Sequence, residues 1–122
     1  PTEPDADPLS EWLSSSEKIR HAVPHHVLVL PAHNLPFKGL HERLDALAQS
    51  VHTGLAQLLV ALQEPRRTID VFGSLFGRPI NDASLFFMAT GESQAHINHL
   101  IGQGRVVVDH LDAHQAAWYR AV

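Results

Sequence analysis

Between residues 40 and 63 leucine and valine recur at three- and four-residue steps, at Leu40, Leu44, Leu47, Val51, Leu55, Leu58, Leu59 and Leu62. That period lays one apolar stripe along a helix and predicts a long amphipathic α-helix over 40–63, stopped by Pro65. Gly54 interrupts the stripe at a cost of about 1 kcal/mol relative to alanine, which points to close packing there. An earlier helix starts at Asp7-Pro8, an N-cap followed by a proline at the first helical position. Leu9, Trp12, Leu13, Ile19 and Val23 share one of its faces, with Glu11 and Glu17 on the other. Glu11 complements the positive end of the helix dipole, Lys18, Arg20 and His21 complement the negative end, and Pro24 stops the run. Four consecutive apolar residues, 27–30, then read as a short buried strand that Pro31 ends.

Beyond the long helix, Thr68 is placed to cap a short helix through Phe76, with Ile69, Phe72, Leu75 and Phe76 inward and Gly77 closing it. Asn81 or Asp82 caps a third helix that carries Leu85, Phe86, Ala89, Ile97 and Leu100 and ends near Gly102 and Gly104. Residues 105–108 and 117–120 read as two strands joined by the polar loop 109–115. The expected fold is therefore mainly α. Residues 39–122 give three helices followed by a β-hairpin, the order of a winged helix-turn-helix. Residues 1–38 precede it as a helix–strand unit of an α/β domain. That lone strand has no second strand to pair with, and unpaired N–H and C=O groups are a liability. The expectation is that residues 1–38 are the end of a larger sheet domain, and that the start at Pro1 is a cut inside a longer chain.

Composition narrows the functional classes. A chain of 122 residues makes one domain, or a small domain with a flanking piece. Without cysteine there is no disulfide framework and no thiolate zinc site, and no apolar run approaches the ~20 residues of a membrane span. There is no basic-then-apolar leader, and the expected location is cytoplasmic. A net charge of −4 offers no electrostatic footprint for nucleic acid. The third helix makes the same point, because residues 81–104 contain no lysine or arginine to neutralise phosphate. Arg105 and Arg120 on the hairpin are too few to change that. The helical module is thus expected to be structural or an interface. The alternatives are a nucleic-acid-binding winged helix, or a dimerisation module in which residues 27–30 pair with a second copy.

Histidine stands out, with ten in the chain. His33 falls just past the C-terminal edge of the expected strand, where open α/β sheets place ligands. Imidazole is the commonest metal ligand, but zinc needs three or four donors converging in space. His21, His25, His26 and His41 are near in sequence, yet His25 and His26 are adjacent and point to opposite sides of an extended segment. A self-contained metal site is not expected, so further ligands would lie outside these residues. His96, Asn98 and His99 read as a solvated helix face. Asp70, Asp82 and Glu92 are single carboxylates without partners, and Ser14 to Ser16 sit on a helix without a nucleophile elbow. No catalytic residue is assigned.

The segment Leu30-Pro31-Ala32-His33-Asn34-Leu35-Pro36-Phe37 resembles the L-P-G-H-G-P-P-F turn near the end of metallo-β-lactamase-fold hydrolases. Asp7-Pro8-Leu9 and its helix resemble the last helix of that αββα domain. Gly39-Leu40-His41-Glu42-Arg43 resembles the G-x-x-x-R opening of a C-terminal winged-helix extension in one branch of the family. Ala95-His96-Ile97-Asn98-His99-Leu100 with Gly104-Arg105-Val106 resembles the A-H-L-x-x-L…G-x-V close of that extension. The resemblance implies a dinuclear metal-dependent hydrolase, usually of zinc, acting on an ester, thioester, amide or phosphodiester, with His33 a terminal ligand to one metal. Ala32 and Asn34 stand where glycines are usual. The H-x-H-x-D-H motif, a further histidine and the bridging aspartate are not among these 122 residues. The resemblance therefore implies a C-terminal fragment that is inactive alone and holds no metal by itself. Its partner is the N-terminal catalytic domain of the same chain, which acts on an ester- or thioester-type small molecule. The helical extension shapes access to that site.

Overall fold

The computed structural model describes residues 3–122, and the chain is mainly helical with a C-terminal two-stranded hairpin. Helix α1 runs Pro8–Ala22, α2 Leu40–Ala61, α3 Phe72–Phe76 and α4 Ala83–Gly102; a 3-10 turn, Thr68–Val71, leads into α3. Strands β1 (Val106–Leu111) and β2 (Ala117–Ala121) pair antiparallel. Among the described residues no helix is long and apolar enough to cross a membrane.

The helix ends follow their capping chemistry. Asp7 accepts the Ser10 backbone N–H at 3.0 Å, and Asp82 accepts that of Leu85 at 2.9 Å. Gly77 closes α3 in the left-handed conformation, φ +67°. Thr68 is not the cap expected of it. Asp70 instead reaches back to the Arg67 backbone N–H at 3.0 Å and to its guanidinium at 2.9 Å, and the Thr68 hydroxyl donates to Gln94 at 2.7 Å. The Arg67 guanidinium beside Asp70 holds that carboxyl below its ordinary range.

The α2 stripe meets α4 and the hairpin in one core of Leu55, Leu58, Leu62, Val71, Ile97, Leu100, Val106 and Tyr119. β2 is flanked on both edges. β1 pairs on one side, while the connector after α2 pairs on the other, through Arg66 and Tyr119 (3.0 and 2.8 Å) and Ala121 to Leu62 (2.8 Å). β1 runs three residues further than the apolar run suggested, because the register shifts between Val108 and His110 and the strand continues past that bulge to Leu111. Asp112 ties the shortened loop, accepting the N–H groups of His114 and Ala116 and the Trp118 indole N–H.

Three expectations change. Residues 27–30 do not form a strand. A single antiparallel bridge joins Val29 to Phe37 (2.8 and 3.1 Å), so the segment folds back on itself. Val27 and Val29 are half-buried while Leu28 and Leu30 are 60% and 73% exposed, the alternation of a half-covered strand. Leu85 and Phe86 are exposed rather than core, with Phe87 and Met88 at 71% and 65%, because burial on α4 begins at Ala89. Phe86 still packs edge-on against Phe72, with ring centroids 5.3 Å apart. Gly54 is not a tight approach. A methyl group there would lie 3.5 Å from Leu75 Cδ2 and 3.6 Å from His96 Nε2, ordinary contact distances.

Candidate functional site

The bridge between Val29 and Phe37 closes a turn whose middle carries His33. Such a reversal needs a residue with positive φ, and Asn34 supplies it at φ +71°. Asparagine tolerates this region better than most other non-glycine residues, so the turn forms at small cost. Two residues past the bridge Gly39 adopts φ +91° and starts α2. The turn and the first turns of α2 border one surface hollow of about 720 Å³. Its more buried lining is apolar, from Phe37, Leu40, Leu44 and Leu47, and its exposed lining includes His33, Lys38, Glu42 and Arg43.

The neighbouring histidines are engaged elsewhere. The His41 ring nitrogen Nε2 donates to the Val23 carbonyl at 2.7 Å, its backbone N–H donates to His25 Nδ1 at 3.2 Å, and the two rings lie 5.2 Å apart. His21 pairs with Glu17 on the exposed face of α1. Among the described residues no three histidine, aspartate or glutamate side chains gather into a group able to hold a metal ion. The chain by itself thus offers one exposed imidazole at the hollow, and one donor does not fit a metal centre.

A second constellation was not foreseen. His96 and His99 are each only 6% exposed, which overturns the solvated reading of their face. His99 Nδ1 lies 3.2 and 3.3 Å from the Asp7 carboxylate oxygens and 2.9 Å from Ser10 Oγ, and Gln103 approaches its Nε2 at 3.0 Å. The Ser10 hydroxyl donates to Asp7 at 2.6 Å. Serine, histidine and aspartate meet here, but not as a nucleophilic triad. In a triad the serine and the aspartate take opposite ring nitrogens, whereas both take Nδ1 here and Gln103 closes the other side. Burial pushes the Asp7 carboxyl up, and the Ser10 hydroxyl and N–H together with His99 outweigh it, leaving it below its ordinary value. Asn98 is also a tether, its amide donating to the carbonyls of Pro4 (2.6 Å) and Ala6 (2.9 Å). His96 Nδ1 donates to its own helix at the Glu92 carbonyl, 2.8 Å away.

One signal for His96 was present. Ala89, Ser93, His96, Ile97 and Leu100 follow the i, i+4, i+7, i+8, i+11 spacing of a buried stripe. Nothing local marks His99, whose partner Asp7 is 92 residues away.

Residues 55–122 match the model of the family described as metallo-beta-lactamase-like, C-terminal domain, and the chain belongs to that family. Its fold is similar to that of a beta-lactamase domain protein from Burkholderia ambifaria, with a TM-score of 0.89 and 28% identity over 98% of this chain and 35% of that one. A metallo-beta-lactamase family protein from Thermus thermophilus shares the fold, with a TM-score of 0.77 and 22% identity over 95% of this chain and 34% of that one. The chain thus spans about a third of the length of either protein. No curated protein matches it.

Proposed function

We propose that the chain is the C-terminal part of a metal-dependent hydrolase of the metallo-β-lactamase superfamily. Residues 1–38 end the catalytic domain, residues 39–122 form a winged-helix extension, and His33 is a terminal ligand to one of two metal ions, zinc in the first instance. The observation that carries this reading is the His33 turn. It is closed by the Val29–Phe37 bridge, held by a left-handed Asn34, and leaves its imidazole exposed beside a hollow. The remaining donors come from the preceding domain of the same protein. Metal chemistry of this class supplies a water of lowered pKa as nucleophile. The residues of this chain orient one imidazole and build one wall of the approach to it, for an ester- or thioester-type substrate. The nucleic-acid alternative draws no support from α4, which lacks lysine and arginine over 81–104 and buries both of its histidines.

The test is metal content per chain in the full-length protein and in its His33→Ala variant, with ester and thioester hydrolysis assayed alongside. Wild type is expected to hold about two metal ions, and the variant to lose one together with most of its activity. Equal metal and equal turnover in both would return His33 to a structural role.

A further inference from the structure

The hollow beside His33 has more chemistry than a metal ligand requires. Its volume, about 720 Å³, is that of a small-molecule site. Phe37, Leu40, Leu44 and Leu47 give it an apolar surface long enough for an aliphatic chain, and two cations, Lys38 and Arg43, stand in the same lining. Three other cations of the chain are occupied. Arg20, Arg67 and Arg120 each hold an aspartate at 2.8 to 2.9 Å. Among the described residues, neither Lys38 nor Arg43 has a carboxylate within salt-bridge distance, although both lie close in sequence to Glu42, the one acidic side chain of the lining. The first turn of α2 borders the same space, but its leading His41 N–H is already taken by His25 Nδ1 at 3.2 Å, so the side-chain cations carry the recognition. An apolar surface with two cations outside salt-bridge distance of a carboxylate, against the single Glu42, is complementary to an amphiphile with an anionic group.

Resting on the reading of His33 as a metal ligand, we propose that this hollow seats the part of the substrate remote from the cleaved bond. That part is an aliphatic chain bearing a carboxylate or a phosphate, and Lys38 and Arg43 hold the anion. Aliphatic surface against the leucines gives affinity, and the cation pair distinguishes the charged substrate from its neutral analogue.

The experiment is calorimetric titration of the full-length protein with octyl phosphate, octanoate and octanol, repeated with Lys38→Gln/Arg43→Gln and with Glu42→Gln. Wild type is expected to bind one or both anions at least about tenfold more tightly than octanol, a preference that added salt weakens. The stronger of the two identifies phosphate or carboxylate as the group recognised. The double variant is expected to lose that preference while binding octanol and metal as before. Glu42→Gln, which removes the opposing charge, is expected to tighten the anions about twofold to threefold. Equal binding of octanol and both anions by wild type, or an anion preference untouched by the double substitution, overturns the proposal. Because these titrations do not read metal, the subsite can fail while His33→Ala still loses a metal ion. Conversely, His33→Ala can leave the metal intact while the anion preference stands.

Discussion

At the scale of single residues, side chains here act by holding the backbone. Asn34 takes the left-handed conformation that glycine adopts most readily, and this closes the His33 turn. Asp7 does two things at once: it caps α1 and joins that helix to α4 through His99 and Ser10. Its carboxyl is held below its ordinary value of 3.8, so the folded chain favours the ionised form. A depressed carboxyl contributes stability that is present above the unfolded value and is lost as pH falls through the folded one. Asp7→Asn keeps a capping oxygen but removes the titration. The stability gap between wild type and Asp7→Asn, measured by urea unfolding, is expected to be widest above the ordinary carboxyl value of 3.8 and to narrow as pH falls below it, through the lowered folded value. A gap that stays constant across that range would mean that the ionised carboxylate is not favoured by folding. The cap at Asp7 was legible in the sequence because capping is a local rule. The Asp7–His99 contact was not, since no local pattern encodes a partner 92 residues away.

At the scale of elements, α2 shows both the reach of periodicity and its limit. Leucine spacing places the helix to within two residues of its observed end at Ala61 and puts Leu55, Leu58 and Leu62 in the core. Gly54 suggested a close helix approach, yet the space beside it accepts a methyl group at ordinary contact distance. Gly54→Ala is therefore expected to stabilise the fold by about 0.5–1 kcal/mol, through helix propensity and a less flexible unfolded chain. Urea or thermal unfolding reads this directly, and destabilisation would show that Leu75 and His96 cannot absorb the added methyl. Where the sequence misled, tertiary context was the cause. Leu85 and Phe86 fit the helical period of α4, but that end is covered only in part, by Phe72 of α3 against Phe86, and a period cannot report what lies opposite it. The β1 bulge has the same origin, because its continuation past Asp109 is set by pairing with β2 and not by the polar residues that suggested a loop.

At the scale of the molecule, burial is distributed unevenly between the two segments. Residues 39–122 close their own core around α2, α4 and the hairpin, with Val60, Phe87, Met88 and Val122 the most exposed large apolar side chains. Residues 3–38 do not, for α1 has no buried residue, and Trp12, Ile19, Leu28, Leu30 and Leu35 all lie exposed. This segment is held by the half-buried Leu9, which packs against the core, and by polar ties: Asp7 and Ser10 to His99, Arg20 to Asp45 at 2.8 Å, and the Val23 carbonyl to His41 at 2.7 Å. Of these, the exposed Arg20–Asp45 pair contributes little, whereas opening the core exposes several wholly buried apolar side chains. The smaller burial along α1 predicts that this segment opens more readily than the core. Native-state hydrogen exchange of the 122-residue chain is expected to give α1 amides markedly lower protection than those around Leu58, Ile97 and Val106, which should exchange only on global unfolding. Equal protection across α1 and the core would make the chain one cooperative unit and remove the division at residue 39. The predicted gradient would mean instead that α1 and the His33 turn draw their rigidity from surfaces other than this core, as the end of a catalytic domain would.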